Sequence, residues 1–201
     1  MSNQEQTFSE KLKSHSRKTH DSVDELVMSM QPFANTENYG KFLQAQHEFH
    51  ETLRPIYLDD KINQRMNNIA ELGRADRVLQ DMKALNVEPA KIDVARQNPQ
   101  GAKRFGWLYC AEGSNVGAAI LYKHAGKIEL TDEHGAVHLA AHPDGRMRHW
   151  RDFKGKLDNL NLTEEEKQEA LEGADDAFAY FKRDYKINCV NPPTQKKENT
   201  A

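Results

Sequence analysis

Two side chains one helical turn apart, those of His20 and Asp24, have the types and spacing of a metal ligand and its partner. Residues four apart share one face of a helix, so the Asp24 carboxylate can reach one nitrogen of the His20 ring. That contact fixes a neutral tautomer and leaves the other nitrogen free to bind a metal. His20 is in register with residues typical of an inward face, which predicts that it points inward. These residues are Leu12, Ser16, Val23 and Val27. A lone histidine on such a face is more often a core residue, and that interpretation stays open.

Two glycines four residues apart, Gly113 and Gly117, interrupt the apolar helical segment GWLYCAEGSNVGAAILYKHAG, residues 106–126. Each costs about 1 kcal/mol of helix stability relative to alanine. One interpretation is close helix packing, because small residues let another backbone approach. The other is a flat, wide ligand held against a kinked, locally loosened helix whose backbone faces it. If that ligand had a central metal, the opposite wall would have to supply a ligating residue, and His20 is the natural candidate.

The remaining histidines do not favour a site for a single metal ion. His134, His138 and His142 are spaced so that, on one helix, the outer two lie about 12 Å apart, too far for one ion with bonds near 2 Å. His47 and His50 in QHEFHE are three apart rather than the four of a zinc-protease HExxH. A metal site at either place is therefore a minor alternative.

Several other functional classes lack their sequence signals. Ser114 lies in GSNVG, but the strand, turn and helix that present a nucleophilic serine are missing. No glycine loop for a nucleotide follows a strand. The net charge of −3 gives no overall field to attract nucleic acid.

The chain also lacks signals for export or membrane insertion. The N-terminus, MSNQEQTFSE, has no basic apolar signal region, and no apolar run approaches the roughly 20 residues that span a bilayer. A cytoplasmic protein without membrane contact is expected. Cys110 and Cys189 are far apart and form no CxxC pair, so reduced thiols are expected, with Cys110 filling the core.

Helical periodicity dominates, strand signals are scarce, and the expected fold is all-α with a single domain. The predicted helices cover residues 9–30, 36–55, 74–85, 102–127 and 146–157, with a short helix starting at Asp59 or Asp60 and a long one from Thr163. Thr36 is the expected cap of the second helix, and Pro55 is expected to end or kink it. Residues 87–101 are expected to form a connection. Residues 1–8 and 188–201 are expected to be flexible, leaving a domain over 9–187.

The segments GWLYCAEGSNVGAA and THDSVDELV together resemble the bacterial haem oxygenases. The likeness extends over nearly the whole chain and includes PFA at residues 32–34 and the acidic start of TEEEKQEALEGADDAFAYF. It implies a single-domain helical bundle that holds haem b between a proximal first helix and a distal helix kinked at its glycines.

The resemblance implies a role for each matching residue. His20 would be the proximal haem ligand and Asp24 its hydrogen-bond partner, while Gly113 and Gly117, with Ser114 between them, would form the distal wall. Polar groups around a distal water network would be Gln46, His50, Asn115 and His138. The apolar wall of the pocket would be Phe49, Phe178 and Phe181. The haem propionates would meet Lys13 and Tyr109.

The implied activity treats haem as both cofactor and substrate, cleaved with O2 and external electrons to biliverdin, Fe2+ and CO for iron acquisition. No flavin or nicotinamide motif is present, so a ferredoxin or flavin reductase is implied as electron donor to an expected monomer. The alternative is a non-enzymatic haem carrier or haem-based gas sensor of similar fold. A second alternative is an all-α enzyme that binds no haem.

The position of ring cleavage depends in this family on how the propionates are anchored. Lys13 is present, whereas Met28 and His124 occupy places where a rotated haem could find other anchors. Cleavage at the α-meso carbon is expected. Arg74 and Arg77 could add charge near the haem edge, but their spacing is more typical of a solvated surface.

Overall fold

The computed structural model describes residues 6–90 and 96–190, and within these ranges the chain is all-helical, as predicted. The α-helices are α1 (Phe8–Ser29), α2 (Thr36–Tyr57), α3 (Asp60–Arg65), α4 (Ala75–Ala84), α5 (Lys103–Ala125), α6 (Arg146–Asp158) and α7 (Glu164–Val190). Short 3-10 helices occur at Ala70–Leu72, Gly126–Ile128 and Val137–Leu139. The expected flexible ends and the predicted connection fall partly at residues 1–5, 91–95 and 191–201, outside the described residues.

Helix starts follow the capping residues in the sequence. Thr7 and Glu10 form a capping box at the start of α1, and Asp59 Oδ1 accepts a hydrogen bond from the Ile62 amide at the start of α3. The predicted cap of α2 was wrong by one residue, because Asn35 Oδ1 accepts from the Asn38 N–H at 2.8 Å. Pro55 does not end α2, which continues to Tyr57, because the Leu58 N–H still bonds to the Arg54 carbonyl oxygen and closes the last turn.

Helix α7 organises the bundle, because α1, α2 and α5 all pack against it. It crosses α5 at close range: a Cβ on Gly106 would lie 2.0 Å from the Ala170 carbonyl oxygen. A Cβ on Gly173 would lie 2.1 Å from the Lys103 carbonyl oxygen. Only glycine fits at these two positions, so this pair fixes how α5 sits on α7.

Helices α1 and α5 make no extensive contact with each other in the described part of the chain. Each packs on α7 and on α6, so these two helices connect the proximal and distal sides of the candidate site. Within residues 6–90 and 96–190, no helix has the length and apolar character needed to cross a membrane.

Candidate active site

The face of α5 that carries Gly113 and Gly117 is open. Among the described residues, a Cβ on Gly117 would meet nothing within 4 Å, and one on Gly113 would make ordinary contact with the Trp150 ring at 3.5 Å. No other backbone in residues 6–90 and 96–190 lies within 4 Å of either Cβ position, so the close-packing interpretation was wrong for this pair. The predicted loosening is not seen either, because α5 is continuously α-helical from Lys103 to Ala125. The two glycines leave bare main chain facing outward.

Ser114 lies beside this open face and is exposed. Its hydroxyl donates to the Ala111 carbonyl oxygen at 2.7 Å, within its own helix. A hydroxyl bonded back to its own helix has no base beside it, so the geometry gives no sign of nucleophilic chemistry.

His20 on α1 is more exposed than its register predicted, with 51% of its side chain accessible. Its Nδ1 lies 3.4 Å from Asp24 Oδ2 and 3.8 Å from Asp21 Oδ1. The ring meets the Phe178 ring of α7 edge-on, with centroids 6.0 Å apart. Acidic groups near Nδ1 leave Nε2 as the nitrogen suited to a metal. His20 therefore lies at the margin of the core, where a ligand can reach it.

Three of the predicted distal polar residues are buried in the interior on separate elements, and we call His50, Asn115 and His138 the internal polar cluster. They lie on α2, on α5 and in the 3-10 helix Val137–Leu139, and all three are buried. Each has a buried polar atom without a hydrogen-bond partner among the described residues: His50 Nδ1, Asn115 Oδ1 and His138 Nε2. Buried polar atoms are rarely left unpaired, so these three point to bound water or ligand. Gln46 lies one turn before His50 on α2 and is half-buried.

The internal polar cluster lies behind α5 rather than on its glycine face. Asn115 is midway between Gly113 and Gly117, and at 3.6 residues per turn this places it on the opposite side of the helix. It is accordingly buried, whereas Gly117 is exposed. The structure thus separates the predicted distal residues into an open backbone wall and an enclosed polar region.

His138 is held by a residue that the sequence did not reveal. Asp81 on α4 is fully buried and accepts three hydrogen bonds, from the Val137 N–H at 2.8 Å, the His138 N–H at 2.8 Å and His138 Nδ1 at 2.7 Å. Burial lowers the pKa of His138, although its bond to Asp81 acts in the opposite direction. Burial, together with the neighbouring Arg74 and His138, lowers the pKa of His50 well below its usual value. Both rings are therefore neutral at pH 7.

Glu112 is a second buried carboxylate that sequence reasoning missed. It accepts a short hydrogen bond from the Tyr57 hydroxyl, a 2.8 Å bond from His149 Nε2 and a 3.3 Å bond from Asn115 Nδ2. Arg74, expected on a solvated surface, is instead buried and donates to the His138 carbonyl oxygen at 2.7 Å. Burial lowers the pKa of its guanidinium to about 10. The sequence offered one signal for Glu112, which is a charged residue in the middle of the otherwise apolar helix α5.

The predicted apolar wall is divided between the core and the margin. Phe49 stacks on Trp107 with centroids 5.8 Å apart and meets Phe181 edge-on at 5.8 Å, and both phenylalanines are buried. Phe178 is partly buried and contacts His20. Of these three phenylalanines, only Phe178 therefore lies directly beside His20, the candidate metal ligand.

The two predicted propionate contacts lie on different helices. Lys13 is exposed on α1 and lies seven residues, about two turns, before His20, on the same face of that helix. Tyr109 on α5 is nearly buried, with its ring 5.3 Å from that of Trp150, and burial raises its pKa to about 12. The Tyr109 hydroxyl therefore remains a hydrogen-bond donor at neutral pH.

The other predicted groups have local roles. His134, His138 and His142 do not share one helix, and in the described ranges no group of three or more His, Cys, Asp or Glu side chains could hold a metal ion. His47 contacts the neighbouring Glu48 at 3.2 Å. Cys110 is buried and unpaired, donating to the Ala174 carbonyl oxygen at 3.6 Å.

These features fit a flat macrocycle with a central metal. The open face of α5 presents bare main chain to a ligand, and His20 offers an imidazole nitrogen at the core margin. The unpaired atoms of the internal polar cluster, behind α5, supply sites for water. Imidazole is a common ligand of haem iron.

Comparison with known proteins agrees with this geometry. Residues 6–185 match the model of the heme oxygenase family. Over 175 residues, 86% of this chain and 88% of the relative, the sequence is 35% identical to heme oxygenase PigA of Pseudomonas aeruginosa. The structure is similar to that of the NO- and CO-bound heme oxygenase from Neisseria meningitidis, with a TM-score of 0.89, 47% identity and coverage of 94% of this chain and 97% of that one.

A more distant structure shares the fold alone. Heme oxygenase 2 from Chlamydomonas reinhardtii, solved without heme, has a TM-score of 0.72 at 17% identity, over 90% of this chain and 96% of that one. The family match and the curated relative both extend over most of the chain. The chain therefore belongs to the haem oxygenase family and is a haem-degrading oxygenase.

Proposed function

We propose that this enzyme cleaves haem b, with O2 and external electrons, to biliverdin, Fe2+ and CO, and that it serves iron acquisition. The observation that carries the proposal is the open face of α5. Gly117 has no atom within 4 Å of where its Cβ would be, and Gly113 meets only the edge of Trp150. A helix gives up about 1 kcal/mol at each glycine, so a face left bare twice suits a ligand that lies directly on the main chain.

On this proposal, His20 binds the metal through Nε2, and Asp24 orients the ring from Nδ1 at 3.4 Å. Phe178 supports the ring edge-on and limits its rotation. Haem, when bound, supplies an iron that activates dioxygen and the porphyrin ring that is oxidised. A neutral imidazole donates electron density to iron less strongly than a thiolate does. It is the strong donation by a thiolate that favours early cleavage of the O–O bond.

On this proposal, the main-chain face of α5 lies opposite His20 and confines a ligand sterically. Because the internal polar cluster lies behind α5, its histidines do not face this wall directly. Their unpaired atoms, His50 Nδ1 and His138 Nε2, can hold ordered water that supplies protons. Gln46 extends the same polar side of α2. Such an arrangement delivers protons through water rather than from a strong acid.

Several finer assignments belong to the same proposal. Lys13 and Tyr109 contact the propionates, and the ring is cleaved at its α-meso carbon. Phe49 and Phe181 support the pocket from the core side. The catalytic domain extends over residues 9–187, and the enzyme acts as a cytoplasmic monomer that receives electrons from a separate ferredoxin or flavin reductase.

An aerobic turnover assay tests the proposal. The purified protein is given one equivalent of haem, then a reductant in air, while its absorption spectrum and released iron are followed. The expected result is loss of the Soret band, growth of broad biliverdin absorption and release of iron. A stable ferrous or oxygen complex would instead support the carrier or sensor, and failure to bind haem stoichiometrically would support an enzyme without haem.

Chromatography of the product tests the cleavage position. The four biliverdin isomers separate, and the α isomer is expected as the main product. A main product of another isomer would show that the propionates are anchored differently, with His124 as an anchor to test by His124→Ala.

A further inference from the structure

Glu112 lies at the centre of a hydrogen-bond arrangement that fixes the orientation of Asn115. Its carboxylate is 1% exposed and accepts from Tyr57, His149 and Asn115. A carboxylate has only acceptor oxygens. All three partners must therefore present a hydrogen to it, and for Asn115 that hydrogen is on the amino group.

This contact decides which atom Asn115 presents to the internal polar cluster. With Nδ2 turned to Glu112 at 3.3 Å, Oδ1 points away from the carboxylate, and it is buried without a partner among the described residues. The backbone is held as well, because Arg146 donates to the Asn115 carbonyl oxygen at 2.8 Å. Asn115 thus offers the cluster a hydrogen-bond acceptor.

The second buried carboxylate acts on His138 in the same way. Asp81 Oδ2 lies 2.7 Å from His138 Nδ1, so Nδ1 carries the hydrogen and the unpaired Nε2 of the neutral ring is an acceptor. Two residues of the cluster therefore expose acceptors, each oriented by a carboxylate on its far side. A water molecule bound to either of these atoms must then donate a hydrogen to it.

We propose that Glu112 is a positioning residue that holds Asn115 with its carbonyl oxygen, not its amino group, toward the internal polar cluster. The catalytic consequence rests on the proposed function, because it concerns the water that supplies protons to the reaction. The orientation itself is a property of the protein without haem. The two parts can therefore be tested separately.

The orientation is tested by NMR on the labelled, haem-free wild-type protein. The Asn115 amino protons, assigned with Asn115→Ser, are expected to show nuclear Overhauser effects to the Tyr57 and His149 rings. Effects to the His50 and His138 rings instead would overturn the proposal. The effects themselves are measured on the wild-type protein, so this test needs no change at Glu112.

Glu112→Gln is the matching perturbation, since it keeps the shape but replaces one acceptor oxygen with a donor. The amide of Asn115 is then expected to turn, so its amino resonances shift and their contacts move to the cluster. Tyr57→Phe is the control, because it removes one donor and leaves both Glu112 oxygens as acceptors. A similar change in both variants, or none in Glu112→Gln, would contradict a role specific to orientation.

The catalytic part predicts a split between rate and binding. In Glu112→Gln, kcat for haem loss should fall about tenfold, the scale of one misplaced hydrogen bond, while the Kd for haem stays within about twofold. Tyr57→Phe should keep kcat within about threefold. Equal loss of haem binding and kcat would show a structural effect only. If wild-type protein showed the predicted contacts but no turnover, the proposed function would fail and the orientation would stand.

Discussion

Replacing Gly117 by alanine is expected to stabilise the haem-free protein while weakening its reaction with haem. The added methyl meets no atom within 4 Å, so it has no steric cost in the fold. Alanine in a helix is favoured over glycine by about 1 kcal/mol, partly because the unfolded chain loses freedom. For a chain of this size, that corresponds to a rise in Tm of about 2–4 °C.

Gly106→Ala on the same helix is the matched control. Its methyl would lie 2.0 Å from the Ala170 carbonyl oxygen and 2.4 Å from the Ala174 nitrogen, both backbone atoms that cannot move without shifting α7. Overpacking of this kind costs about 3 kcal/mol, more than the gain in helix propensity. Gly106→Ala is therefore expected to be about 2 kcal/mol less stable than the wild type and Gly117→Ala about 1 kcal/mol more stable, a difference of about 3 kcal/mol.

The assay is thermal unfolding of both haem-free variants and the wild type, followed by haem titration and aerobic turnover. Gly117→Ala, and more strongly Gly117→Leu, should show weaker haem binding or slower turnover, because the side chain occupies the face proposed for the ring. A loss of stability in Gly117→Ala would refute the open face. Retained stability with normal binding and turnover in Gly117→Leu would refute its use by haem.

Three further predictions follow from the buried and proximal groups. His20→Ala should abolish the absorption spectrum that the axial histidine gives to bound haem and should impair turnover, and added imidazole should restore both in part. An unchanged absorption spectrum would exclude His20 as the ligand. Because the folded pKa of His50 is lowered, below pH 6.5 the unfolded chain binds a proton that the folded chain does not, so stability should fall on acidification by up to about 1.4 kcal/mol per pH unit. His50→Gln should flatten that slope in urea unfolding at pH 7 to 5, and an unchanged slope would assign it to other groups. Asp81→Asn should lower the free energy of unfolding, measured with denaturant, by about 3 kcal/mol, because a buried acceptor of three hydrogen bonds is disrupted. Asp76→Asn, at an exposed position on the same helix, should lower it by less than about 0.5 kcal/mol. Equal losses in the two variants would contradict this account.

Local patterns sufficed for the helices. The predicted helix starts at Asp59 and Thr163 and the apolar periodicity depend on residues within a turn or two of each other, so the predicted boundaries agree with the observed helices to within a few residues. The continuation of α2 past Pro55 has a local reason as well, since the Leu58 N–H closes the last turn on the Arg54 carbonyl oxygen. The pairing of His20 with Asp24 was equally local and is present at 3.4 Å.

Contacts between distant residues could not be predicted in this way. Asp81 meets His138 across 57 residues, and Glu112 meets Tyr57 across 55 and His149 across 37. Arg74 looked like a surface charge because its burial depends on the packing of α4 against its neighbours, not on its own segment.

The sequence by itself determined the helices, the imidazole and carboxylate one turn apart on α1, and the presence of glycines in α5, since each depends on chemistry within a few residues. The tertiary structure decided what each glycine does. Gly106 is pressed against α7, while Gly117 faces open space, and both look alike in the sequence. The physical reason is that a missing side chain has meaning only through what lies opposite it, and that neighbour is placed by the packing of the whole bundle.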